Sequence, residues 1–203
     1  IENNVLKTFS IENEPVVELV NNREREYIFA DLPDIGYSTD IDTVMASSYQ
    51  VKKQLQQIVK IEQPITNTLL YKRILRIWNL TRVTTRLQVF IDNLLEDAYK
   101  DPLSGDTIIY WEDEEKAKDC DFYRINSKRD ILDIPILEVM SAARYAIEQQ
   151  ISMPTEDLKR LTSQLLGFSR KGNNLDMVME QTIQLLIDQG IFSHANGMVS
   201  MNN

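Results

Sequence analysis

Two stretches of this chain lie over each other at a constant offset. LYKRILRIWNLTR (70–82) and LKRLTSQLLGFSR (158–170) pair Leu70 with Leu158, Ile77 with Leu165, Thr81 with Ser169 and Arg82 with Arg170, each 88 residues apart. Carried forward, the offset sets Leu87 over Leu175 and Ile91 over Met179. Pro64 and Pro154 differ by 90, so a small shift is needed upstream. A repeated helical pattern constrains the fold strongly. Each copy has an apolar stripe, and each stripe must be buried against neighbouring elements.

The elements around the repeat follow one order. In SSYQVKKQLQQIVKIEQ, Tyr49, Leu55, Ile58, Val59 and Ile61 fall near one helical face, and Pro64 interrupts the run. ITNTLLYKRILRIWNL spaces Leu69, Leu70, Ile74 and Ile77 for a second helix, with Thr66 or Asn67 as its cap. NLTR makes a tight turn. VTTRLQVFIDNLLEDAY then turns Leu87, Phe90, Ile91, Leu94 and Leu95 inward. DTIIYW and DFYRI read as two strands around an acidic turn at 112–119.

A helix from about Pro135, a shorter helix capped by Thr155, the turn SRKGNN and a helix ended by Gly190 come next. A hairpin at Asn196-Gly197 closes the series. The expected fold is mainly α with short β-hairpins, as tandem winged-helix-like modules at 46–130 and 131–203. One continuous helical domain is the rival arrangement.

Residues 1–45 read as an extended N-terminal arm or linker. They hold ten acidic and three basic residues, with short strands at 15–20 and 26–30 and a loop at 31–40. The chain opens at Ile1 without a basic and apolar leader, and reads as a piece of a longer polypeptide. No 18-residue apolar run is present, so a cytoplasmic protein without a membrane span is expected.

The net charge of -9 argues against a nucleic-acid partner until it is resolved along the chain. Residues 46–91 hold eight bases (Lys52, Lys53, Lys60, Lys72, Arg73, Arg76, Arg82 and Arg86) against the single acid Glu62, a local charge of +7. The remaining 14 bases and 30 acids sum to -16. Bases on adjacent helices focus a local potential despite a negative whole. Arg82 and Arg86 stand four apart at the start of the third helix, where a helix-turn-helix meets groove or phosphate. They are the leading candidates for DNA contact, followed by Arg73, Arg76, Lys72, Lys52 and Lys53. Arg170 and Lys171 are the counterparts in the second module. Equally, such bases can be a solvated face whose stems cover apolar surface.

Catalytic patterns are missing. No phosphate-loop, GxGxxG, HExxH, CxxC or GxSxG pattern occurs. Cys120 is the only cysteine and His194 the only histidine, which excludes an internal disulfide and a His/Cys zinc site. The acid runs at 112–115 and 119–121 read as solvated loop, and the acids flanking Cys120 disfavour its thiolate. Trp78 and Trp111 are able to stack on bases, but their places in apolar segments fit core packing better. No catalytic residue, metal or cofactor is expected.

VKIEQPITNTLLYKRILRIWNLTRVTTRLQVFI (59–91) resembles the start of an uncharacterised domain at the C-terminus of very large bacterial helicase-like proteins. Glu62-Gln63-Pro64-Ile65 stands at that domain's "GPI" site and Asn79-Leu80-Thr81-Arg82 at its "GLxR" site, with Gln63 and Asn79 replacing small residues. DFYRI (121–125), DIPILEVMSAARYAI (133–147) and LLGFSRKGNN (165–174) resemble its later blocks, so the likeness spans about 46–200. Such proteins combine a superfamily 1 helicase-like ATPase region with a nuclease-like domain related to very-short-patch-repair endonucleases. The resemblance implies a link to DNA transactions and carries no catalytic residue into this chain. Together with the +7 segment, it gives the expectation of a non-catalytic accessory domain that contacts DNA through its basic first module. The alternative is a protein-interaction or dimerisation scaffold, docking helicase or nuclease domains or a second copy without binding nucleic acid.

Overall fold

The computed structural model describes residues 23–37, 39–104, 107–148 and 150–202. The strand expected at 15–20 lies outside them. The chain is mainly α with short β elements. A first strand, β1 (Glu24–Glu26), precedes α1 (Ile41–Ala46) and α2 (Ser48–Glu62). Then come β2 (Ile65–Thr66), α3 (Asn67–Ile77), α4 (Thr85–Leu94), β3 (Tyr99–Lys100) and β4 (Ile109–Trp111). The connecting stretch holds α5 (Glu114–Lys118) and β5 (Tyr123–Ile125). The last group is α6 (Ile136–Glu148), β6 (Ser152–Pro154), α7 (Thr155–Leu165), α8 (Asn173–Asp188), β7 (Phe192–Ala195) and β8 (Met198–Met201). Among the described residues no helix is long and apolar enough to cross a membrane.

Two groups of elements share one wiring. A helix, a short strand, two helices and a hairpin run from α2 to β4 and again from α6 to β8. Each forms a three-stranded antiparallel sheet in the same order, β2-β4-β3 and β6-β8-β7. The 88-residue offset sets α3 onto α7 and the start of α4 onto the start of α8. Leu70 and Leu158, Leu87 and Leu175, and Ile91 and Met179 are buried as matched pairs.

The turn after the shared helix is also reproduced. Asn79 N–H donates to the Arg76 carbonyl and Leu80 N–H to that of Leu75. Gly167 N–H donates to the Gln164 carbonyl and Phe168 N–H to that of Ser163. This is the Schellman pattern, whose C′ residue takes a left-handed backbone. Asn79 (φ 47°) and Gly167 (φ 87°) both hold it. The remaining difference is in the caps. Thr66 and Thr84 accept the N–H groups of Leu69 and Leu87, whereas Pro154 and Gly172, their counterparts, offer no side-chain cap.

Several expectations change. Tyr49 and Ile61 face solvent, and Val51 takes the inward place on α2. The strand expected at 26–30 is instead Glu24–Glu26. DTIIYW and DFYRI do not pair with each other. Ile109–Trp111 pairs with Tyr99–Lys100 and Ile65–Thr66, while Tyr123–Ile125 runs parallel to β1. The acidic stretch folds as α5 rather than a turn because Asp113 caps it and Lys116 and Lys118 pair with Glu112 and Glu114 one turn away. Thr155 is the first residue of α7, not its cap, and its hydroxyl donates to the Gly197 carbonyl.

Between the groups sits a buried polar joint. Glu138, on α6, is fully buried and accepts from both Arg124 and Arg129. Arg124 donates further to the carbonyls of Glu62 and Pro64 at 2.6 Å and of Gln63 at 3.3 Å. Both guanidiniums lie over the Tyr27 ring, at 5.0 and 4.4 Å. The Tyr27 hydroxyl bonds Glu62, which also accepts from the Ala30 N–H and Arg73. Burial would raise the Glu138 pKa, but the two guanidiniums outweigh it and hold the carboxyl below its usual range. Burial and the charge of Glu62 push the Tyr27 phenol up to about 12. Ile109, Trp111 and Phe122, with Ile136 and Leu137 packed against them, add apolar contact between the first sheet and α6.

Candidate nucleic-acid interface

The bases of 46–91 sit on α2, α3, the turn after α3 and the first turn of α4. Thr84 starts α4 and so aims its first turn, with Arg86, beside the Arg82 turn. Both arginines are exposed. Arg86 bonds Asp42 at 2.8 Å, with both side chains more than half open to solvent. Such an exposed pair is worth only about 0–1 kcal/mol, so a phosphate can compete for Arg86. Arg82 has no ion-pair partner among the described residues.

Arg73 belongs to the joint. Its Nη2 donates to Glu62 at 2.8 Å and to the Tyr27 hydroxyl at 2.9 Å, and its guanidinium stacks on Phe29 at 4.0 Å. Burial would lower its pKa, but Glu62 and Tyr27 raise it instead. Lys72, next to it, bonds the buried Asp133 at 2.6 Å. Arg76 remains exposed, 5.2 Å from the Phe29 ring centre. On α2, Lys52 lies 3.5 Å from Asp97, and Lys53 sits 4.5 Å over the Tyr49 ring. In the second group Arg170 is exposed, and Lys171 lies 3.6 Å from Glu156.

The structure thus divides the candidates. Arg76, Arg82 and Lys53 are exposed or partly exposed bases without an ion pair among the described residues, whereas Lys52, Lys72 and Arg86 lean on Asp97, Asp133 and Asp42. Those three acids lie outside 46–91, so a charge tally of that window misses them. Trp78 and Trp111 are core, donating their indole N–H groups to Gln54 and Asp101. His194 is exposed on β7. Burial, with the Glu138 charge, pushes the Cys120 thiol up to about 12, far from a reactive thiolate.

Residues 46–89 match a family model described as "Protein of unknown function (DUF3320)". The segment is similar to that uncharacterised domain family. The match takes in α2, β2, α3, the Arg82 turn and half of α4, and stops before the β3–β4 hairpin. It therefore contains the basic cluster and none of the second group. No curated protein and no solved structure matches the chain.

Proposed function

We propose that this chain is a non-catalytic accessory domain of two winged-helix modules, the first of which contacts DNA. The wing of each module is its hairpin, and α4 is the first module's recognition helix. One observation carries the reading: Arg76 and Arg82, exposed and free of ion pairs among the described residues, flank the turn leading into α4. Arg86 then adds a third cation held only by a solvent-exposed partner. The resemblance of 59–91 to the end of helicase-like proteins supports a role in presenting DNA to enzymatic domains of such a polypeptide.

Binding of a labelled duplex, followed by anisotropy, tests this. Affinity falls steeply between about 50 and 200 mM salt as counterions are released. Arg82→Ala with Arg86→Ala weakens it and flattens the salt slope by about 2. Unchanged affinity in that double variant sinks the site.

A second reading has its own support. Leu103, Leu132 and Met177 expose apolar surface around a groove of about 250 Å³ floored by Ile109, Ile131 and Val178. A scaffold that docks protein would use such a surface. Concentration-dependent mass by ultracentrifugation, without DNA binding, would favour it.

A further inference from the structure

The arm does more than brace the joint. Its stretch from Phe29 to Tyr37, with Thr39, runs beside the second half of α3 and the turn after it. Phe29 lies against Arg73 and Arg76. Ile35 N–H donates to the Ile77 carbonyl at 3.0 Å, the Asn79 side chain donates to the Tyr37 carbonyl at 3.3 Å, and the Thr39 hydroxyl donates to the Trp78 carbonyl. Tyr37 is left largely in solvent, 65% exposed, and Phe29, with Arg73 over its ring, keeps 36% of its surface open. Ile28, beside Phe29, is exposed as well. Phe29 therefore stands beside Arg76, which has no ion pair among the described residues, and Tyr37 meets Asn79 in the turn that carries Arg82.

We propose that the arm and α3 form a track for single-stranded nucleic acid, with Phe29 and Tyr37 stacking on unpaired bases and Arg76 and Arg82 meeting phosphates. Every base has a π-face, so aromatic platforms beside cations bind single strands with little sequence preference. In a duplex those faces are covered by neighbouring bases, and the platforms have nothing to take. The arm's contacts with the helix run from Arg73 to Ile77, about 6 Å of axis at about 1.5 Å per residue, room for about two bases at about 3.4 Å each. Asp31 and Asp34 lie on the arm between the rings, and Asp34 accepts the Gly36 N–H at 2.8 Å. Neither ring was among the candidates from charge, because the arm is acidic overall.

The inference rests on the DNA reading, and one experiment separates the two. A labelled oligothymidylate and a labelled duplex of equal length are titrated with the full chain at about 50 mM salt. Phe29→Ala and Tyr37→Ala should each weaken single-strand binding by about five- to a hundredfold and leave duplex binding within about twofold. Phe29→Trp should retain single-strand affinity, and Phe29→Leu, which keeps apolar bulk without a π-face, should lose it. Equal losses for both strands, or none, overturn the track. Duplex binding without single-strand binding also overturns it while sparing the DNA reading. Binding of neither removes both.

Discussion

In the first group of elements the turn before the third helix carries Arg82, and in the second the same place carries Arg170. Their surroundings diverge from there. Around Arg170 the bases are answered: Lys159 reaches Glu156 and Glu180 at 3.0 Å, Arg160 reaches Asp157 at 2.9 Å and Lys171 reaches Glu156. The helix that follows, α8, holds Asp176, Glu180 and Asp188 and no base. Its counterpart α4 has Arg86, and its single acid, Asp92, accepts the hydroxyls of Tyr71 and Tyr110 instead of facing a ligand. Identical strand order thus coexists with opposite surfaces. Backbone wiring follows the apolar pattern, while the partner follows charges that the core does not constrain.

The largest effect should come from the element that the modules share. Glu138→Ala leaves two buried guanidiniums without their carboxylate and should cost about 3–5 kcal/mol in urea unfolding. If the loss is under about 1 kcal/mol, the joint does not unite the modules. The pH dependence has a definite sign. The folded pKa of Glu138 is depressed, so its contribution is present above the unfolded value near 4.3 and is lost as pH falls through the folded value. Glu138→Gln should flatten that acid limb.

Next in size is the contrast in DNA binding. Arg82→Ala with Arg86→Ala should weaken a duplex about tenfold or more, roughly 1.4 kcal/mol, whereas Arg170→Ala with Lys171→Ala should stay within about twofold. Equal losses would make the modules functional equals. Smaller still are the caps. Thr84→Ala should destabilise by about 1 kcal/mol, read from the urea midpoint. Gly172→Ser, the reciprocal change, should stabilise by a few tenths of a kcal/mol. A Cβ there meets nothing within 4 Å, and the backbone is extended.

How far the sequence reveals this depends on how local each cause is. Helix positions come from apolar spacing, and the 88-residue offset coincides with the boundaries of α3 and α7 because both modules repeat that spacing. The exposed Tyr49 shows the limit, since spacing alone cannot tell which edge of an apolar face meets the core. Strand pairing is a non-local choice among short segments. By composition DFYRI is a hairpin partner for DTIIYW, but its edge is taken by Glu24–Glu26, about 100 residues away. For the candidate interface, residue type and neighbourhood pointed to Arg82 and Arg86. They could not reveal that Arg73 is tied to Glu62 and Tyr27, because those bonds depend on how α2 and the arm pack against α3. Arg124 and Glu138 carried no signal at all, being an ordinary base and acid until burial makes each depend on the other.

Arg124 also has a mechanical consequence. Its guanidinium grips three successive carbonyls at the end of α2 while anchored to a carboxylate on α6. The connection between the two groups of elements is thus a bolted flange rather than a tether. A displacement of the end of α2 is delivered as torque to α6, and so to the elements packed on it.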